Sequence, residues 1–278
     1  MVRFVIMYRN NTVGVVVPAY NESGLVGDVI RKQPDYVDRI YVIDDRSTDD
    51  TWTEILAAGS DAGGAICVGS GGIGRTTWKI PETQAVVYES SGRVVPIRHR
   101  ENRGVGGAIK SGYLQAREDR MDITVTTDAD DQMDLGQMTR LLDPIVDGRA
   151  DYTKGNRLSS RKLQDSMPTV RFVGNVLLTL LTRIASGYWQ MMDSQNGYTA
   201  ISAQALECID VEDLFEYYGL RNELLVRLNV ANMRVRDVPM EPVYGTEESH
   251  IRLGQFIPKV LIMLIQSFLW RMRTQYLK

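Results

Sequence analysis

The sequence predicts an α/β fold with a mostly parallel central sheet and helices on both faces. Three observations carry that prediction. The first half alternates short β-branched runs with helical stretches, the rhythm of βαβ units. The composition is that of a globular chain, with 278 residues of which 44% are apolar and 24% charged. Acidic, polar and glycine-rich stretches follow the strand-like runs, and open α/β sheets bind ligands at such strand ends.

The elements follow in order. "TVGVVV" (12–17) reads as a strand, and "ESGLVGDVIRKQ" as a helix with Asn21 as its N-cap. "RIYVI" (39–43) is a second strand, followed by "STDDTWTEILAAG", a helix capped from Ser47 with acids in its first turn. "VVPIRH" (94–99) is a third strand leading into "GVGGAIKSGYLQARE", a helix opened by glycines. "DITVTT" and "LGQMTRLLDPIVDG" give a fourth strand and its helix, and "ADYTKGNR" (150–157) a fifth strand. Between Gly59 and Val94 the rhythm breaks into short β-like runs among glycines, read as an inserted hairpin or lobe. The second half, from about Leu158, reads as an elaboration on the sheet.

Several function classes are excluded or weakened. A net charge of −3 gives no basic footprint for nucleic acid, so an anionic ligand requires local metals or placed arginines. Cys67 and Cys208 fit no metal spacing and read as inert core thiols in a reducing compartment. "MVRFVIMYRNN" does not make a signal peptide, and no window reaches the ~18 apolar residues of a spanning helix. "FVGNVLLTLLTRIASGYW" (172–189) and "FIPKVLIMLIQSFLWRMRTQYLK" (256–278) have apolar runs with basic and aromatic edges. They suit interfacial amphipathic helices, with buried core helices as the alternative. "GSGGIGRT" (69–76) nearly spells a P-loop, but Arg75 stands where lysine is required. "GVGG" (104–107) lacks the third glycine of a dinucleotide fingerprint.

"TTDADDQMD" (126–134) places four acids in nine residues directly after a strand. If the segment is extended, Asp128, Asp130 and Gln132 point the same way. Hard oxygen donors of this kind suit Mg2+ or Mn2+, which take one or two carboxylates and share the rest with substrate phosphates and water. A solvated turn with helix-capping acids is the alternative.

"VVVPAYNE", "VIDDRSTDDT", "NRGVGGAIKSGY", "DADDQ" and "GNR" occur in the order and spacing of family 2 glycosyltransferases with the Rossmann-like GT-A fold. Within that family the chain most resembles polyprenyl (dolichyl) phosphate sugar synthases, and "DSQNGYTAIS" (193–202) is similar to that subgroup. The resemblance implies a GT-A domain over 1–255, carrying the 59–94 insertion and amphipathic interface helices at 169–190, with a membrane-surface helix at 256–278. It implies that Pro18, Ala19, Tyr20 and Glu22 line the nucleotide, that Asp45 bonds the base with Asp44 nearby, and that Gly104, Gly106 and Gly107 admit the nucleotide closely. It places Asp128 toward ribose and metal, Asp130 and Gln132 on the metal, and Arg157 at the phosphates. Arg46 stands where the family often has glycine and reads as solvent-facing.

The same resemblance implies that Asp193 and Gln195 look into the sugar pocket. A hydroxyl acceptor needs a general base, with Asp193 or Glu223 as candidates. A lipid phosphate, with a second pKa of about 6, attacks without one. It instead needs cations, for which Arg157, Arg171 and Arg252 are the candidates, with His250 as a further contact. The expectation is an inverting, metal-dependent transferase using a UDP- or GDP-sugar and polyprenyl phosphate, at the cytoplasmic face of a membrane or in the cytoplasm. The same fold acting on a glycan hydroxyl, and a non-catalytic sugar-nucleotide-binding module, stay open.

Overall fold

Strand β1 (Val13–Ala19) is buried along its whole length and lies inside a nine-stranded sheet of order β3-β4-β5-β2-β1-β6-β8-β7-β9. The computed structural model describes residues 7–61, 66–68, 80, 84–90, 92–157, 169–217, 219–241 and 253–276. The strands are β2 (Arg39–Asp44), β3 (Ile66–Val68), β4 (Ala85–Ser90), β5 (Val94–His99), β6 (Ile123–Thr126), β7 (Tyr152–Asn156), β8 (Thr199–Ser202) and β9 (Val235–Pro239). The helices are α1 (Val26–Arg31), α2 (Thr51–Asp61), α3 (Gly104–Glu118), α4 (Met138–Val146), α5 (Thr169–Ser186), α6 (Ala203–Cys208), α7 (Leu220–Val230) and α8 (Leu253–Tyr276).

β5, β2, β1 and β6 pair in parallel, as do β7 and β9. β4 opposes both of its neighbours, and so does β8. Seven of the nine strands therefore run one way, and β4 and β8 oppose them. The carboxyl ends of β1, β2, β5, β6 and β7 consequently share one edge. β8 runs backwards, so its amino end reaches that same edge.

Alternation along the strands builds two cores. Val13, Val15, Val17, Ile40 and Val42 face α1, α2 and α4, burying Val29, Ile55 and Leu141. Val16, Tyr41 and Ile43 face the other way, toward Ile109 of α3, Leu206 of α6 and Leu224 of α7. A third cluster joins Ala185 of α5, Val226 of α7 and Val260, Met263 and Leu264 of α8.

Several expectations change. Asn21 does not cap a helix: it adopts φ +55° and its Oδ1 accepts from Thr48 N, while α1 starts later at Val26. Ser47 does not cap α2; its hydroxyl accepts from Asn21 N, and Asp49 accepts from Thr51 N at the helix start. The two loops after β1 and β2 are thus bonded to each other rather than each to its own helix. The broken stretch contains the β3–β4 hairpin, which extends the sheet beside β5. Cys208 is exposed at the end of α6 and is not a core thiol, because the apolar residues of that short helix that face inward are Ala205 and Leu206. The side chain of Cys67 and the stretch 69–76 lie outside the described residues.

Candidate active site

Ala19 O accepts from Asp45 N at 2.9 Å, which ties the ends of β1 and β2 together. Pro18 and Ala19 are buried in β1, whereas Tyr20 is 47% exposed just beyond it. The carbonyl of Glu22 accepts from Leu25 N and Val26 N at the start of α1. Arg46 is exposed with φ +66°, a left-handed conformation that glycine adopts without strain.

Asp44 and Asp45 are both buried. Asp44 Oδ1 accepts from Ser47 N at 2.9 Å, and Arg98 Nε lies 2.9 Å from Oδ2 as an ion pair whose N–H is poorly aligned. Asp45 Oδ1 accepts from Arg103 N at 2.8 Å and faces His99 Nδ1 at 2.7 Å. His99 Nε2 is in turn 2.8 Å from Ser111 Oγ. This Asp–His–Ser chain has the spacing of a hydrolytic triad, but all three side chains are buried, so it braces β2, β5 and α3 and presents no nucleophile.

Two of the glycines that open α3 lie tightly against another part of the chain. A Cβ on Gly106 would lie 2.5 Å from the backbone of Glu216, and one on Gly104 2.8 Å from the Tyr217 ring. Gly107 N donates to Glu216 O at 2.7 Å. The close approach at Gly104 and Gly106 is therefore made by the chain's own 215–217 segment, whereas a Cβ on Gly107 would meet Arg103 Cβ at 2.6 Å. Arg103 and Lys110 both pair with the Glu216 carboxylate and lock that segment down.

The acidic stretch after β6 is bent, not extended. Gln132 N donates to Asp130 Oδ1 at 3.1 Å and Asp131 has φ +56°, so the expected alignment of Asp128, Asp130 and Gln132 along an extended face does not occur. Asp131 instead pairs with Lys32. Asp128 Oδ1 accepts from Arg221 Nη2 at 2.7 Å, and a Cβ on Gly197 would lie 2.3 Å from Asp128 Oδ2. Gly197 is adjacent because Thr126 and Thr199 are partners across β6 and β8.

Arg157, one residue beyond β7, joins these acids to the 193–197 loop. Its Nε donates to Asp193 Oδ2 at 3.0 Å. Burial opposes charge on Arg157, but Asp193, Asp128 and Asp130 outweigh it and hold the guanidinium more firmly protonated than usual. Burial likewise pushes the Asp193 carboxyl up, while Arg157 more than compensates and holds it below the ordinary carboxylate range. Gln195 is half-buried, and its amide donates to Ser194 Oγ and Asn222 Oδ1. Glu223 does not join this group: its Oε2 accepts from Phe215 N at 2.7 Å and its Oε1 pairs with Arg227 at 2.9 Å. His250 and Arg252 lie outside the described residues, as does the side chain of Arg171.

Three charged residues at this edge gave no signal in the sequence. Arg221 arrives from α7, Asp237 from β9, and Lys154 sits inside β7 with none of its surface exposed. A groove of about 860 Å3 at the end of α8, lined by Trp189, Asn229, Arg271 and Tyr276 among others, includes none of the residues above.

The Glycosyl transferase family 2 model matches residues 14–68 and 78–210, which span the β1 to β8 framework and the acids just described from Glu22 to Asp193, but not Glu216, Glu223 or Asp237. The chain belongs to glycosyl transferase family 2. It is an enzyme of that family with the GT-A fold, and it resembles the polyprenyl phosphate sugar synthases. It is 28% identical over 239 residues to the UDP-N-acetylglucosamine–dolichyl-phosphate N-acetylglucosaminyltransferase of Methanococcus voltae, covering 86% of this chain and 88% of that one. It is 29% identical over 148 residues to the undecaprenyl-phosphate mannosyltransferase of Micrococcus luteus, covering 52% of this chain and 60% of the relative. Glucosyl-3-phosphoglycerate synthase of Mycobacterium tuberculosis, solved with Mn2+, UDP and phosphoglyceric acid, superposes with a TM-score of 0.61. That likeness covers 95% of this chain and 79% of the other at 20% identity, and it is a likeness of fold.

Proposed function

We propose that this glycosyltransferase moves one hexose or N-acetylhexosamine from a nucleoside-diphosphate sugar to a polyprenyl phosphate, in a single inverting displacement at a membrane surface. The observation that carries this reading is the state of the two candidate bases. Asp193 is held ionised by Arg157, which makes it a weak proton acceptor, and both oxygens of Glu223 are occupied. An acceptor that is already anionic needs neither. The relatives from Methanococcus voltae and Micrococcus luteus, named for dolichyl and undecaprenyl phosphate, support the same acceptor, and the former's UDP-sugar makes UDP the first donor to test.

The residues after β6 suit a divalent cation. Among the described residues no three carboxylates, imidazoles or thiols form a closed metal cage. Asp128 and Asp130 are two carboxylates that both act on the charge of Arg157, and the backbone of Gln132 is bonded to Asp130. That is the partial oxygen set that Mg2+ or Mn2+ shares with phosphates and water. The ion, when bound by Asp128, Asp130 and Gln132, supplies electrostatic stabilisation of the charge growing on the leaving diphosphate.

The chain's own residues do the rest. Tyr20, Glu22 and Asp45 at the ends of β1 and β2 hold the base and ribose; Asp45 is kept oriented by His99 and Arg103 N, and the buried Asp44, engaged by Ser47 N and Arg98, braces the loop beside it. Arg157 adds fixed positive charge beside the diphosphate, aimed before the reaction begins. Asp193 and Gln195 line the sugar side. In-line attack then depends on positioning of the two substrates, not on proton transfer.

The membrane side of the proposal rests on two helix faces. α5 exposes Val176, Leu177, Leu180 and Ile184, and α8 exposes Leu261, Ile262, Ile265 and Leu269. Each set has the i, i+1, i+4, i+8 spacing of one helical face, and Trp189 and Trp270 stand at their edges. No helix among the described residues is long and apolar enough to cross a membrane, so these faces suit binding in the interface plane. The enzyme then works peripherally, at the cytoplasmic face.

The test is transfer from radiolabelled UDP-sugars and GDP-sugars, with Mn2+, to polyprenyl phosphate in vesicles. Label is expected in the organic phase. Label that stays aqueous with every donor, or that moves to a free glycan instead, overturns the lipid-phosphate acceptor.

A further inference from the structure

Lys154 is fully buried in a strand flanked by β8 and β9. A lysine ammonium in such a place is expensive unless its donors are satisfied and its charge is balanced. Its Nζ donates to the carbonyl of Asn196 at 2.5 Å. Asn196 lies in the middle of the 193–197 loop. At one end of that loop Asp193 meets Arg157; at the other, Gly197 leaves the space that Asp128 Oδ2 occupies. One buried bond from β7 thus underpins both ends of the segment that touches the candidate site.

The charge balance around Lys154 is also specific. Asp193 from the loop and Asp237 from β9 favour its charge, while Arg157 beyond β7 and Arg221 on α7 oppose it. Asp237 is the direct partner of Lys154 across the β7–β9 register. β8 carries no charged side chain. α4 packs on the opposite face of β7, where Thr153 Oγ1 donates to Leu141 O, so its charges do not face Lys154. Asp237 Oδ2 accepts from Met192 N at 2.6 Å, and its Oδ1 is buried without a hydrogen-bond partner among the described residues. Lys154 and Asp237 are thus register neighbours beneath the site, and Arg183 of α5 also favours the charge on Asp237.

We infer that Lys154 is a positioning residue, which sets the 193–197 loop through Asn196 and with it the placement of Asp193, Arg157 and Asp128 for donor binding. The inference rests on the proposed site but not on its acceptor. A second property follows from burial, which brings the Lys154 ammonium down to about 7 and the Asp237 carboxyl up to about 6. The charge beneath the loop therefore changes close to neutral pH.

The experiment uses the full chain with K154R, K154M and D237N. Donor-nucleotide affinity is measured with Mn2+ from about pH 6 to about pH 9, alongside hydrogen exchange of amides 195–198 without nucleotide. Wild-type affinity is expected to inflect near pH 7. K154R, with a donor and a charge that does not titrate, should keep the loop protected and the affinity within about fivefold while losing the inflection. K154M should expose the loop amides and weaken donor binding on the order of 10–100-fold at every pH, the usual cost of losing an outer-shell support. D237N leaves the Asn196 bond in place and should move the inflection without exposing the loop. Wild-type exchange and affinity in K154M overturn the inference; if K154M does not fold, an inflection unchanged in K154R overturns it. Failure of lipid transfer leaves the exchange and nucleotide-binding measurements intact, so the two proposals fail separately.

Discussion

His99 Nδ1 and Asp45 Oδ1 lie 2.7 Å apart, both side chains buried, and Ser111 Oγ holds the far nitrogen of the ring. A hydrogen bond to a charged partner of this kind contributes roughly 1.5–3 kcal/mol. Replacing His99 with Ala should leave Asp45 misaligned for the nucleotide base. We expect donor affinity, measured by calorimetry, to fall about tenfold or more, with His99→Gln retaining part of it. Unchanged affinity in His99→Ala would remove Asp45 from base recognition.

The metal reading makes a separate prediction. Asp128→Asn and Asp130→Asn should abolish the Mn2+-dependent part of nucleotide binding, a loss of about 10³-fold if the ion contributes several kcal/mol. Gln132→Ala should be milder, because a neutral amide supplies one weaker donor. Mn2+ titrations followed by thermal shift, with and without UDP, check all three. Equal stabilisation of wild type and Asp130→Asn by Mn2+ plus UDP would contradict the assignment.

Arg157 and Asp193 should be far more sensitive to single than to paired change. Arg157→Ala leaves the Asp193 carboxylate buried and unpaired, a loss toward the lower end of ~3–5 kcal/mol because Arg157 is partly solvated. Arg157→Ala with Asp193→Leu should recover much of that stability in urea unfolding, while activity stays lost. The pair also sets an acid limit. Asp193 has a folded-state pKa below its unfolded value, so its contribution is complete above about pH 4 and disappears as pH falls through the lower, folded value. Asp193→Asn should flatten that part of the acid-unfolding curve.

Gly106→Ala tests what the α3 glycines are for. The added methyl would meet the Glu216 backbone at 2.5 Å, so the 215–217 segment must move. Overpacking of this kind costs typically 1–3 kcal/mol. A drop in thermal midpoint without nucleotide present is expected, and a midpoint equal to wild type would return these glycines to a role in nucleotide approach alone.

The membrane face can be tested without touching the site. Leu177→Gln, Ile265→Gln and Leu269→Gln alter side chains that are 51–60% exposed, so stability should change by less than about 0.5 kcal/mol. Sedimentation with vesicles should fall by about tenfold or more for the triple variant, since each side chain buries apolar area in the interface. Vesicle binding equal to wild type would rule out these faces as the contact.

The central strands were plain in the sequence because their residues are almost wholly apolar and β-branched, as buried parallel strands are. β1, β2, β5, β6 and β7 lie where the pattern places them, and α3 has the bounds Gly104–Glu118 that its glycines and periodicity indicate. β8, with four residues, and β9, with an exposed alternation, are too short or too polar to stand out. Burial also hides charge: Lys154 and Asp237 look like ordinary solvated strand positions until packing encloses them.

By itself, the sequence determined the fold class, the family motifs and the gathering of acids and glycines at one sheet edge, because local periodicity and strand-end position are written in neighbouring residues. Only the tertiary structure decided what those residues touch. The 215–217 segment fills the space beside the α3 glycines, β8 runs backwards and carries Asp193 to Arg157, and α7 brings Arg221 to Asp128. Such contacts join residues tens of positions apart, and their geometry comes from how the strands and helices pack together.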